Sequence, residues 1–155
     1  ILAPRHPRRG DEIAGLLTAR GLAFARRSKG ETPALGQQVY LADTLGEMDA
    51  WYGLSGVTVI GGSFAPKGGH TPWEPASHGL AIVHGQSLHN FAAPFAALDR
   101  AGAAIAVADG AALARALQGL DGKAQARLAG LAAEILAPEA DTSAVLGAIL
   151  QAVKG

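Results

Sequence analysis

Six short apolar runs alternate with stretches of helical periodicity along this chain: Ile1–Ala3, Leu22–Arg26, Gln38–Ala42, Val57–Ile60, Ala81–His84 and Ala103–Val107. Most of these runs lack the polar–apolar alternation of a strand with one wet face. Strands covered on both faces lose that alternation, which is the mark of a parallel sheet flanked by helices. Between the runs, Asp11–Arg20 places Ile13, Leu16 and Leu17 at helical spacing, with Gly21 as its stop. Further helices are predicted over Glu47–Leu54, Trp73–His78, Asn90–Arg100, Asp109–Gly119, Lys123–Leu136 and Thr142–Val153. The expected fold is α/β: a Rossmann-like, doubly wound, six-stranded parallel sheet with extra C-terminal helices, forming one domain over residues 1–155.

Composition narrows the function classes. Of 155 residues, 49% are hydrophobic, enough for a buried core. Lys+Arg and Asp+Glu are both 13, so the formal charge is zero. Nucleic-acid coating runs on excess positive charge, so no nucleic-acid partner is expected. There is no cysteine, which removes disulfides, thiolate zinc sites and thiol nucleophiles together. No stretch approaches the ~18 apolar residues of a membrane span, and the chain is expected to be soluble. It opens at Ile1 without a signal pattern and reads as a piece of a longer protein.

In doubly wound sheets, ligands bind beyond the carboxyl ends of the strands. The loops there are the unusual ones. Pro4-Arg5-His6-Pro7 follows the first run, and Asp43-Thr44-Leu45-Gly46-Glu47 follows the third. A Gly- and Pro-rich segment from Gly61 to Pro75 follows the fourth, and Gly85 to Phe91 follows the fifth. The loops at the opposite end are plain turns.

Thr44 and Glu47 have the spacing of a capping box, which either caps a helix and nothing more or also presents free N–H groups to a phosphate. Gly46 would let a phosphate approach the backbone. Glycines at 61, 62, 68 and 69 are costly to order unless the chain bends sharply or meets a ligand closely. Lys67 could neutralise a phosphate or carboxylate. Thr71-Pro72-Trp73-Glu74 also fits a capping box with Pro72 at N1, or else the helix starts at Pro75 and leaves Glu74 for ligand hydroxyls. Arg5 can fork onto an anion, although beside Arg8 and Arg9 a solvated arginine is the simpler reading. His84 reads as a satisfied core histidine and Trp73 as packing. The five histidines have no metal-ligand spacing, so no metal is expected. G-x-G-x-x-G after the first strand, the P-loop and G-x-S-x-G are all absent.

Taken in order, Pro4-Arg5-His6-Pro7, Asp43-Thr44-Leu45-Gly46-Glu47-Met48, Gly61-Gly62-Ser63 with Gly68-Gly69-His70 and Trp73-Glu74-Pro75-Ala76, and Asn90-Phe91 resemble the C-terminal half of bacterial 3-deoxy-D-manno-octulosonic acid (Kdo) transferases. The likeness runs to about Leu98 and continues more loosely beyond. It implies the donor half of an inverting GT-B glycosyltransferase of lipopolysaccharide biosynthesis, with no cofactor and no bound metal. That half would bind CMP-Kdo. The other half would bind the lipid A precursor and carry the catalytic base, on the cytoplasmic side of the inner membrane. The resemblance implies no catalytic residue in this chain. Arg5 and the Gly46-Glu47-Met48 start would hold the CMP part, with Lys67 as a second cation. Gly68, Gly69, His70, Glu74 and Asn90 would face the ribose or the Kdo. Thr71 stands where the family usually has Asn, and His84-Gly85-Gln86 replaces a Gly-Pro pattern. A donor half for a UDP- or GDP-sugar, or a non-catalytic nucleotide-sugar module, are the alternatives.

Overall fold

The computed structural model describes residues 1–137 and 150–152. The expected helix Thr142–Val153 lies outside the described residues except for 150–152, which are helical. The chain packs as two compact units, Ile1–Leu54 and Ser55–Gly155.

In the first unit, α1 (Gly10–Ala19), β1 (Phe24–Arg26), β2 (Val39–Leu41) and α2 (Met48–Gly53) follow in order. β1 pairs in parallel with β2, with Ala25 opposite Tyr40 and Arg26 opposite Leu41. Ala25 and Leu41 are fully buried. The other edge of β2 takes a single parallel bridge from Leu2 to Leu41. There the Leu2 amide donates to the Tyr40 carbonyl at 2.8 Å, and the Ala42 amide donates to the Leu2 carbonyl at 2.9 Å.

The second unit holds β3 (Val57–Ile60), α3 (Trp73–Ser77), β4 (Ala81–His84), α4 (Ala92–Arg100), β5 (Ala104–Ala106), α5 (Gly110–Gln118) and α6 (Gly122–Ile135). Its sheet is parallel in the order β3-β4-β5. Ile82 packs with Phe95, Leu98 and Ala132 in one core cluster. Its neighbours Ala81 and Val83 pack with Leu120 and Leu128 in another. Both faces of β4 are therefore covered, and all four of its residues are buried. That is why the run reads Ala-Ile-Val-His with no polar face.

Among the described residues the strands thus form one sheet of two and one of three, not the expected six-stranded sheet. The shortfall is plainest at the first run. Pro4 lacks an N–H, so pairing along Ile1–Ala3 cannot continue past the single bridge at Leu2. The α/β class and the parallel pairing agree with the sequence reading.

Helix ends set where strands begin. After α1, Gly21 takes a left-handed φ of 67°, its amide bonds Thr18 O, and the Leu22 amide bonds Leu17 O. Gly79 after α3 and Gly102 after α4 repeat this pair of bonds. Such a Schellman stop satisfies the last carbonyls and turns the chain directly into the next strand. Asp109 and Asp121 cap α5 and α6, accepting from the amides of Ala112 (2.7 Å) and Ala124 (2.8 Å).

Candidate functional site

The turn after β2 is built around a buried acid. Asp43 is 2% exposed. Arg26 Nε donates to its Oδ2 at 2.5 Å, and Arg26 Nη1 reaches Asp11 Oδ1 at 2.6 Å. The Ser28 amide donates to Asp43 Oδ1 at 2.9 Å and the Ser28 hydroxyl to Oδ2 at 2.8 Å. Burial pushes the Asp43 carboxyl up, but the Ser28 bonds and the Arg26 guanidinium together hold it below the usual carboxylate range. A Cβ on Gly10 would overlap both the Asp43 carboxylate and the Arg26 guanidinium, so this packing needs glycine at the start of α1.

At the far end of the turn, Arg27 forks onto Glu47, with Nη2 donating to Oε1 at 2.6 Å and Nε at 3.0 Å. The Thr44 hydroxyl donates to the same carboxylate. Hydrogen bonds from Arg27, then from Thr44, lower the Glu47 pKa. The capping-box expectation is therefore corrected. α2 starts at Met48, Glu47 is its N-cap residue, and no side chain caps it. Thr44 bonds a carboxylate instead of a backbone amide, because a bond to a charged acceptor is the stronger one. Gly46 has φ 79°, so it makes a bend that other residues resist. Met48 is 40% exposed. Arg5 is exposed and has no side-chain partner among the described residues.

In the second unit, the Gly-rich loop is tied to the segment after β4. The Gly68 amide donates to Ser87 Oγ at 3.1 Å, and the Gly69 amide to Gly62 O at 3.4 Å. Asn90 Nδ2 donates to Lys67 O at 2.9 Å, and the Asn90 amide to Gly68 O at 3.2 Å. Gly68 and Gly69 are buried with left-handed φ values, and a Cβ on Gly68 would overlap Asn90 and His89. These two glycine amides are committed within the protein. What the loop presents outward is the Lys67 and His70 side chains, both exposed.

The second capping-box expectation is corrected too. α3 starts at Trp73 with Pro72 as N-cap residue, neither at Pro72 nor at Pro75. Thr71 Oγ1 accepts from the Trp73 amide at 3.3 Å, a local turn bond. Glu74 is exposed on the first turn of α3. Trp73, 44% exposed, meets Phe91 edge-on.

His84 is the expected buried histidine, 1% exposed, between Gly85 O and Asp99 Oδ1 at 2.9 Å each. Among the described residues no three His, Cys, Asp or Glu side chains cluster as metal ligands, and no helix is long and apolar enough to cross a membrane.

The structure brings Lys67, Gly68 and Asn90 together in one unit and places Gly46, Glu47 and Met48 on one turn in the other. It also shows residues that sequence reasoning missed: Arg26, Arg27 and Ser28 around the turn, and Ser63 and Ser87 beneath the Gly-rich loop. The available signal was two consecutive arginines and a serine where β1 ends and a 3-10 turn, Arg27–Lys29, begins.

No family model matches the chain. Over 91 residues it is 40% identical to the 3-deoxy-D-manno-octulosonic acid transferase of Haemophilus influenzae, covering 59% of this chain and 21% of that protein. Over 92 residues it is 46% identical to the same-named protein of Bordetella pertussis, covering 59% and 22%. The chain thus spans about a fifth of the length of these curated relatives. The crystal structure of the C-terminal CMP-Kdo binding domain of WaaA from Acinetobacter baumannii superimposes with a TM-score of 0.76 and 33% identity, over 86% of this chain and 70% of that one. With sequence and fold agreeing over that share of a solved domain, the chain belongs to the 3-deoxy-D-manno-octulosonic acid transferase family.

Proposed function

We propose that this chain is the donor-binding part of a Kdo transferase and that its ligand is CMP-Kdo. The observation that carries this reading is the match to the CMP-Kdo binding domain from Acinetobacter baumannii. In the first unit, Arg5, Gly46, Glu47 and Met48 serve the CMP part. Arg5 has no side-chain partner among the described residues, while Glu47 is paired with Arg27 and so repels a nearby phosphate less. In the second unit, Lys67 supplies a second cation for the phosphate, and His70, Thr71 and Glu74 serve the ribose or the Kdo. Gly68, Gly69 and Asn90 act mainly by shaping that loop, because their recorded bonds are internal.

In the full-length enzyme the reaction is an inverting transfer of Kdo to a lipid A precursor, on the cytoplasmic face of the bacterial inner membrane. The acceptor and the catalytic base belong to the rest of the enzyme, so the 155-residue chain alone is inactive. Calorimetric titration of the chain with CMP, UMP and GMP tests the donor class. CMP binding with the other two weaker by at least about tenfold, roughly 1.4 kcal/mol, is expected. Equal or tighter binding of UMP or GMP overturns it.

A further inference from the structure

Arg26 and Arg27 hold the two ends of one five-residue turn. Arg26 ends β1 and Arg27 opens a single 3-10 turn, Arg27–Lys29, so the two side chains leave the backbone in different directions and reach different acids. Arg26 meets Asp43 at 2.5 Å, and Arg27 forks onto Glu47 at 2.6 and 3.0 Å. Ser28 adds two bonds to Asp43. The Asp43 end is buried and rigid, because Gly10, Arg26 and Ser28 enclose it. At the Glu47 end the side chain is held by Arg27, 43% exposed, and by Thr44, while the Glu47 carbonyl accepts the Trp51 amide at 3.2 Å. Between the two ends sits Gly46, the residue with the most backbone freedom.

An exposed ion pair adds little to global stability. Its local effect is different. A turn braced at both ends samples fewer shapes, and a ligand that needs one shape then meets less ordering cost. We propose that Arg27 is a positioning residue that acts through Glu47, closing the Asp43–Glu47 turn into the one shape that accepts the CMP phosphate, without touching the nucleotide itself. This rests on the reading that Gly46, Glu47 and Met48 serve the CMP part.

The test uses the 155-residue chain, with CMP and cytidine as probes in titration calorimetry. Three substitutions are compared with the parent: Arg27→Met, Arg27→Lys and Glu47→Gln. Arg27→Met is expected to weaken CMP binding roughly three- to tenfold while cytidine is little affected, because the competent shape becomes a fraction of the ensemble. Arg27→Lys keeps the charge but loses the fork and recovers part of the loss. Glu47→Gln removes the other half of the brace and also weakens CMP more than cytidine. If Arg27 were instead a cation for the phosphate, Glu47→Gln would free it and tighten CMP binding, which overturns the proposal. So does parent-like CMP affinity in Arg27→Met, or an equal loss for CMP and cytidine in either Arg27→Met or Glu47→Gln. A parent chain that binds no CMP overturns the functional reading first, and this proposal with it.

Discussion

The Gly85 amide donates to Ser63 Oγ at 2.6 Å, and a Cβ on Gly85 would stand 2.5 Å from the Ser63 carbonyl oxygen. That carbonyl already accepts the Ser87 amide at 2.9 Å, so it is not free to swing away. Ser63 is buried, and its hydroxyl bonds Ile60 O. The segment after β3 and the segment after β4 are therefore closed on each other at a point with no room for a methyl group. Gly85→Ala is expected to destabilise the second unit by about 1–3 kcal/mol, the usual cost of overpacking. Urea denaturation checks this, and a midpoint equal to the parent's would show that the two segments separate freely.

Asp43 makes folding sensitive to acid. Its folded pKa lies below its unfolded value near 3.9, with burial opposing the shift and the Ser28 and Arg26 bonds outweighing burial. The stabilisation is therefore complete above about pH 4 and is lost as pH falls through the lower, folded pKa. Asp43→Asn is expected to cost about 3 kcal/mol at neutral pH, since it leaves a largely buried guanidinium one acid short. Below pH 4 the variant should also lose stability less steeply than the parent. Unfolding midpoints measured between pH 7 and pH 2 decide it, and parallel slopes would move the acid sensitivity elsewhere.

Asn90 ties its segment to the Gly-rich loop through a donor, Nδ2 on Lys67 O. A carboxylate has the same shape but no hydrogen to give. Asn90→Asp is expected to place two acceptors against each other and loosen the Lys67–His70 segment, with a cost of about 1–2 kcal/mol, mostly local. Faster amide exchange at Gly68 and Gly69, without a matching change at β4, is the signature. Unchanged exchange at Gly68 would show that the Ser87 bond alone holds the loop.

The parts of this structure legible in the sequence are those with local physical causes. Gly21 ends a helix, Asp109 begins one, and Ala81–His84 is buried on both faces because both neighbouring clusters use it. The capping box at Thr44 and Glu47 shows the limit of spacing. Spacing shows that Thr44 and Glu47 face each other, but not that Arg27, twenty positions from Glu47, draws the carboxylate outward. The bracing of the turn is likewise tertiary, since Arg26 and Asp43 meet only after β1 and β2 have paired. The continuous sheet failed as an expectation because apolar runs show which residues want burial, not how many consecutive residues pair.

Arg5 is the sharpest test of the donor reading. It follows the Leu2 bridge directly and has no side-chain partner among the described residues, whereas Arg9, Arg26 and Arg27 are each held by a carboxylate. An arginine that supports no internal contact contributes little to stability, so its removal should leave the unfolding midpoint within about 0.5 kcal/mol of the parent. A guanidinium that meets a phosphate makes charge-assisted bonds, and losing them weakens binding by about 1.5–3 kcal/mol. Arg5→Ala should therefore bind CMP markedly less well than the parent, while cytidine, which has no phosphate, binds both almost equally. Raising the salt concentration should narrow the difference for CMP, because an exposed charge is screened. An equal loss for CMP and cytidine would mean that Arg5 shapes the nucleoside site instead of meeting the phosphate, and no loss for either would remove it from the site altogether.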